Sequence, residues 1–318
     1  MQVGQLIVSA FDGTRLPEYL RRRLRRSETA GVIVFGKNIA SRPGLRSLDR
    51  RMQRAAGHGA LVMTDQEGGA VRNLRFAGPV PSQPAQGSPR RVGALARGAA
   101  RELRRAGVNV SLAPVADLAA GPEMRFRAFA GSSGAVAARV RASVGGWRRG
   151  RVAATAKHFP GIGAARSNTD KRRVTIALTR PALERHLRPF RAAIAADVPL
   201  VMASHALYPA YTRRLIASQS PAVLVRLLRH RLRFRGAVIT DSIEAKAVVR
   251  RSPVAVAAER SVAAGADLVL TTGSASWKLI FPRLLRRARR SPPFRRKVEE
   301  SAARVLALKR DLGLRPPD

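Results

Sequence analysis

The chain reads as a single (β/α)8 TIM-type barrel followed by C-terminal helices, spanning residues 1–318. Three observations predict it. Eight short apolar runs rich in Val, Ile, Leu and Ala recur along 318 residues, at 5–11, 31–36, 60–65, 108–113, 153–158, 200–205, 236–241 and 267–271. Such continuous runs mark strands buried on both faces, as in a parallel sheet. Helical patterns or longer connections separate them, and eight β–α alternations in about this length favour a closed barrel. The third observation is that polar and ionisable residues stand just after many of these runs, where a barrel gathers its active site.

In chain order, QLIVSAF (5–11) ends in the turn pair Asp12-Gly13, and a basic helix is expected over 15–26. GVIVF opens the second strand and 43–56 the next helix. ALVMT (60–64) runs into Asp65-Gln66-Glu67-Gly68-Gly69. Residues 77–90 are rich in Pro, Gly and Ser and read as a long loop. A helix over 91–106 closes at Gly107, and VNVSL leads to Asp117. A loop with Arg125, Arg127 and Phe129 precedes a helix over 135–149. The fifth strand carries Lys157-His158 into a loop punctuated by Pro160, Gly161 and Gly163 and ending on Asn168-Thr169-Asp170. A helix over 180–196 has Thr179 before it and Pro181 in its first turn. LVMA (200–203) leads to Ser204-His205, a helix follows over 221–232, and AVIT (237–240) leads to Asp241-Ser242. A helix over 254–264 closes at Gly265. DLVL (267–270) is the last strand, and helices over 278–290 and 294–312 finish the chain. A doubly wound open sheet is the rival architecture, but no G-x-G-x-x-G follows the first strand.

The composition limits the chemistry. There is no cysteine, which excludes disulfides, thiolate nucleophiles and cysteine–zinc sites. No His-x-His, His-Glu-x-x-His or compact carboxylate cluster suggests a metal, and no G-x-S-x-G elbow suggests a serine hydrolase. No apolar run approaches the ~18 residues of a spanning helix. The N-terminal run lacks a basic leader region, so cytoplasmic residence is the default expectation, with export open if a signal precedes this sequence. The net charge is +40, and seven of the sixty basic residues are Lys. Arg is spread along the chain without interleaved aromatics, so the expectation is weak, nonspecific affinity for polyanions and no specific nucleic-acid partner. Against that excess the twenty carboxylates stand out. Asp65, Asp117, Lys157-His158, His205 and Asp241 converge on the barrel mouth, with Arg127 and Asp170 added by loops. Paired carboxylates there suit glycoside hydrolysis.

Seven segments carry a resemblance: AGVIVFGKNIAS (30–41), TDQEGGAVRNL (64–74), VNVSLAPVAD (108–117), RAF (127–129), KHFPGIG (157–163), MASHALYPAY (202–211) and FRGAVITDSIEAKAV (234–248). Together they resemble the N-terminal barrel of family 3 glycoside hydrolases, especially the single-domain β-N-acetylhexosaminidases, over nearly the whole chain. The resemblance implies a retaining exo-acting enzyme without cofactor or metal, acting on a carbohydrate with terminal β-linked GlcNAc, such as a cell-wall fragment. Asp241 matches the nucleophile. Asp65, Arg127, Lys157 and His158 match sugar-binding positions, while His205 stands between binding and scaffold support. Glu67 and its glycines are expected to shape the loop.

The sequence also departs from the family. Where its hexosaminidases carry Asp-Ser-His, with the His as acid/base oriented by the Asp, this chain has Asn168-Thr169-Asp170. Ile162 replaces a common His, and Asn73 a common Arg. Either Asp170 is itself the acid/base, or that group is lost and the protein is slow, changed in chemistry, or purely glycan-binding. A different β-glycosidase specificity also stays open.

Overall fold

The computed structural model describes residues 2–315; Met1 and residues 316–318 of the expected domain range lie outside them. Eight parallel strands form one sheet: β1 Ile7–Ser9, β2 Gly31–Ile33, β3 Leu61–Thr64, β4 Val110–Ser111, β5 Ala153–Phe159, β6 Leu200–Ala203, β7 Ala237–Thr240 and β8 Val269–Leu270. Each expected run holds one strand, shorter than the run in all but the fifth. The first run opens instead with a tight helical turn, Val3–Leu6.

Neighbours in sequence are neighbours in the sheet, and β8 returns to β1 with Ile7 opposite Val269 and Val8 opposite Leu270. The remaining seam, β7 to β8, is bridged at Ile239 and Leu268, with Thr240 N–H donating to the Leu268 carbonyl at 2.9 Å. The sheet therefore closes on itself, each of its strands flanked on both sides among the described residues.

Alternation along the strands splits the core in two. Ile33, Leu61, Met63, Val110, Leu200 and Ile239 fill the barrel interior. Their neighbours Val32, Val62, Val201 and Val238 point outward, against the surrounding helices. Those helices start where Ser or Thr caps them: Ser41, Ser88, Ser132, Thr179 and Ser291 each accept a backbone N–H of the first turn. The segment after β6, Ala222–Arg231, winds as a wide π-type helix. The last helix, Pro292–Asp311, closes the bottom of the barrel. Val305 and Leu308 join the interior cluster, and the buried Lys309 Nζ donates to Gln5 Oε1 at 2.7 Å.

Among the elements beyond the expected plan, two border the mouth. Gln66–Gly68 and Val71–Arg72 form a small antiparallel hairpin. Lys246–Val249 is a single helical turn after β7. No helix among the described residues is long and apolar enough to cross a membrane.

Candidate active site

The site is organised by an irregularity in β5. Lys157 pairs with Met202 of β6, but Phe159 already pairs with Ala203, so two residues on β5 oppose one step on β6. A regular strand would turn Lys157 and His158 to opposite faces. The extra residue re-aims the backbone, and both side chains line the cavity at the mouth.

Lys157 is held by two carboxylates, with Nζ 2.6 Å from Asp65 Oδ1 and 2.7 Å from Glu67 Oε1. Arg127 grips Glu67 with both arms of its fork, Nε to Oε2 at 3.0 Å and Nη2 to Oε1 at 2.6 Å. Lys157 and Glu67 are 2% exposed, whereas Asp65 and Arg127 are about a quarter exposed. Glu67 and Lys157, buried alone, would favour their neutral forms; the opposite charges bonded to them keep them ionised. Burial would raise Glu67, but Lys157 and Arg127 outweigh it and hold its carboxyl at about 2. Burial would likewise lower Lys157, and Asp65 and then Glu67 raise it above its ordinary value. The result is a rigid, neutral quartet with its outer members facing the cavity.

His158 is oriented by Asp117, which is fully buried. One Asp117 oxygen accepts from the His158 backbone N–H at 3.1 Å and lies 2.8 Å from Nδ1; the other accepts from Ile162 N–H at 2.7 Å. The same carboxylate therefore fixes the imidazole and the start of the following loop. Gly161 takes φ +121°, and a Cβ on Gly163 would stand 2.0 Å from the Leu118 carbonyl oxygen, so glycine is required at both points. The loop ends by docking on the helical turn after β7. Ala247 N–H donates to the Thr169 carbonyl at 3.0 Å and Lys246 N–H to the Asp170 carbonyl at 3.3 Å. Asn168 Oδ1 accepts the Asp170 N–H at 2.8 Å. Asp170 is thus placed by its main chain, and its carboxyl lines the cavity.

Asp241 ends β7, and its Oδ1 accepts Ser242 N–H at 2.8 Å. His205 does not line the cavity. It is fully buried behind this turn, donating from Nε2 to the Ser242 carbonyl at 2.9 Å, with Nδ1 2.8 Å from Ser218 Oγ. From the other side Ser242 Oγ lies 2.8 Å from Thr272 Oγ1, and Glu244 collects Thr272 N–H and Gly273 N–H at 3.0 and 3.2 Å. The β7 and β8 loops are tied together around Asp241.

The cavity measures about 250 Å³. Six of the residues singled out in the sequence meet there: Asp65, Arg127, Lys157, His158, Asp170 and Asp241. The two mouth carboxylates titrate in opposite directions. Burial would raise Asp241, but His158, His205, the Ser242 N–H and Lys157 together hold it below the usual carboxylate value. Asp170, whose side chain is exposed at the edge of the loop, is raised, first by its partial removal from water against the mouth and then by the charge of Asp241. Glu67 is more than loop shaping, since it joins Lys157 to Arg127; it is an acid inside a glycine-rich run of a chain poor in acids, and that was the available signal. Ser242 and Glu244 carried none. Among the described residues no group of three His, Asp or Glu side chains could hold a metal ion.

Comparison with known proteins agrees with this fold. The Glycosyl hydrolase family 3 N terminal domain model matches residues 1–308. A beta-hexosaminidase of Stenotrophomonas maltophilia (strain K279a) is 35% identical over 280 residues, covering 83% of this chain and 82% of its own. A beta-N-acetylhexosaminidase structure from Beutenbergia cavernae superposes with a TM-score of 0.90 at 30% identity, over 97% of both chains. A family 3 beta-N-acetylglucosaminidase structure from Paenibacillus sp. str. FPU-7 gives 0.94 at 31% identity; all of this chain matches, spanning 63% of that longer one. With the barrel, the paired carboxylates and these likenesses in hand, the chain belongs to the family 3 glycoside hydrolases.

Proposed function

We propose that the protein is a retaining exo-β-N-acetylhexosaminidase releasing terminal β-linked GlcNAc, with Asp241 as nucleophile and Asp170 as acid/base. The observation that carries the mechanism is two carboxylates lining one cavity in different settings: Asp241, bonded to Ser242 N–H and held low beside His158 and His205, and Asp170, raised beside Asp241 with no cation bonded to it among the described residues. Such a pair divides the labour, one group ionised to attack and the other protonated to donate. The sugar preference follows the names of the relatives, and a cavity of about 250 Å³ suits one sugar ring.

In the first step an Asp241 oxygen attacks the anomeric carbon. The bond to the leaving oxygen breaks, and Asp170 gives that oxygen its proton. Asp65 and Arg127 hold hydroxyl groups, and His158, fixed through Nδ1, presents its other ring nitrogen. In the second step Asp170, now ionised, takes a proton from water as the water oxygen attacks the anomeric carbon and releases Asp241. Lys157 stays protonated throughout and offsets charge at the carboxylates. A cell-wall fragment is the natural substrate on this reading.

The test is hydrolysis of an aryl β-GlcNAc glycoside and of a GlcNAc disaccharide by the wild-type protein. Release of β-configured GlcNAc, seen by NMR before mutarotation, is the expected result. Failure to cleave either substrate would replace this reading with that of a glycan-binding protein.

A further inference from the structure

Part of the chain's excess positive charge gathers in one cleft. Arg46 and Arg50 of the helix Arg42–Ala55, Arg101, Arg104 and Arg105 at the end of Pro89–Arg105, and Arg149 and Arg151 at the end of Ser133–Arg149 line one concavity of about 600 Å³. All seven are exposed. The last two helices end where they lead into β4 and β5, so the cleft opens on the flank toward the barrel bottom, away from the catalytic mouth.

Arginines just outside the cleft are neutralised: Arg42 lies 3.8 Å from Glu102 and Arg148 3.0 Å from Asp197. Among the described residues none of the seven inside it forms an ion pair. Arg46 and Arg104 satisfy helix-end carbonyls, those of Arg105 and Arg151, as cations at helix C-termini often do. That accounts for two of the seven. The cleft holds a single acid, Asp49, bonded by Gln53 Nε2 at 3.1 Å and packed against Gly107, where a Cβ would meet it.

We propose that this cleft is a binding site for a compact oligophosphate anion. Guanidinium forks match phosphate oxygens two at a time, and an anion of several charges relieves the mutual repulsion of seven exposed cations. The shape favours a small ligand over a polymer track, because three helices bound it, and no aromatic side chain lines it for stacking bases.

The test is calorimetric titration with inorganic tripolyphosphate in low salt. The expected result is saturable one-to-one binding that weakens as salt rises. Replacing Arg50, Arg101 and Arg149 together by Gln weakens it about tenfold or more, since none of these three makes a hydrogen bond that the fold needs. Replacing Arg286, Arg289 and Arg290 by Gln, an equal charge change on the helix Ser276–Arg290, leaves it within about twofold. Thermal unfolding of each variant confirms that it is folded. Equal weakening by both triple variants, no saturable phase, or binding of long-chain polyphosphate with none of tripolyphosphate would each overturn the proposal.

Discussion

The two halves of the catalytic mouth are built differently. On the strand side every polar side chain named at the mouth has a bonded partner: Lys157 with Asp65 and Glu67, Arg127 with Glu67, His158 with Asp117, and Asp241 with Ser242 N–H. On the loop side Asp170 is located by its main chain alone, through Asn168 and the turn Lys246–Val249. The difference matches the work proposed for each side. Groups that hold a sugar or attack it act best at fixed positions and fixed charge. A group that must give up a proton and recover it within one turnover is poorly served by a permanent cation partner, which would keep it ionised.

Substitutions can break this contrast from either side. The largest effect is expected on the strand side at Asp241. Asp241→Asn should lower kcat by about 10⁴-fold or more on every substrate, because no covalent intermediate can form; steady-state rates with an aryl glycoside check it. Glu67→Gln comes next, since it leaves Arg127 unpaired and Lys157 with one carboxylate. Breaking a buried pair costs about 3–5 kcal/mol, to be read from denaturant unfolding, and kcat/KM should fall with it. Glu67 also predicts an acid dependence. Its folded-state value of about 2 lies below its ordinary 4.5, so its contribution to stability is complete above 4.5 and drains away as pH falls toward 2. Unfolding curves of Glu67→Gln should lose that part of the slope.

The smallest effect is expected behind the wall. His205→Gln should cost about 1–2 kcal/mol of stability and lower kcat modestly with KM nearly unchanged, since His205 braces the Asp241 turn without facing the cavity. A KM rise as large as that of Arg127→Gln would show instead that His205 touches substrate.

The strands were legible because burial on both faces writes them as continuous apolar runs, and their order follows from the alternation with helices. The site residues at strand ends were legible for the same reason: Asp65, Lys157 and Asp241 interrupt apolar runs where solvation alone does not explain them. Partnerships were not. That Glu67 couples Lys157 to Arg127, 60 residues away from it along the chain, depends on how the hairpin folds back, and no local pattern encodes that. His205 stayed ambiguous in sequence for a related reason. A histidine after a strand reads alike whether it faces the mouth or turns behind the next loop, and only Ser218 and the Ser242 carbonyl decide. The irregularity in β5 was equally hidden, because the apolar run ends at Ala156, before the irregular pairing at Lys157–Phe159.

The acid/base role of Asp170 is the claim on which the account turns, and leaving-group dependence tests it most directly. Wild type and Asp170→Asn are compared on an aryl β-GlcNAc with a good leaving group and on a GlcNAc disaccharide with a poor one. The account predicts a loss of about 10²–10⁴-fold on the disaccharide, much of the first-step rate kept on the aryl glycoside, and disappearance of the alkaline limb of kcat/KM that deprotonation of Asp170 produces in the wild type. That limb should lie above the ordinary aspartate value of 3.8, since Asp170 is raised by partial loss of solvent and by Asp241. Equal activity of the two proteins on both substrates, with the alkaline limb unmoved, would contradict it.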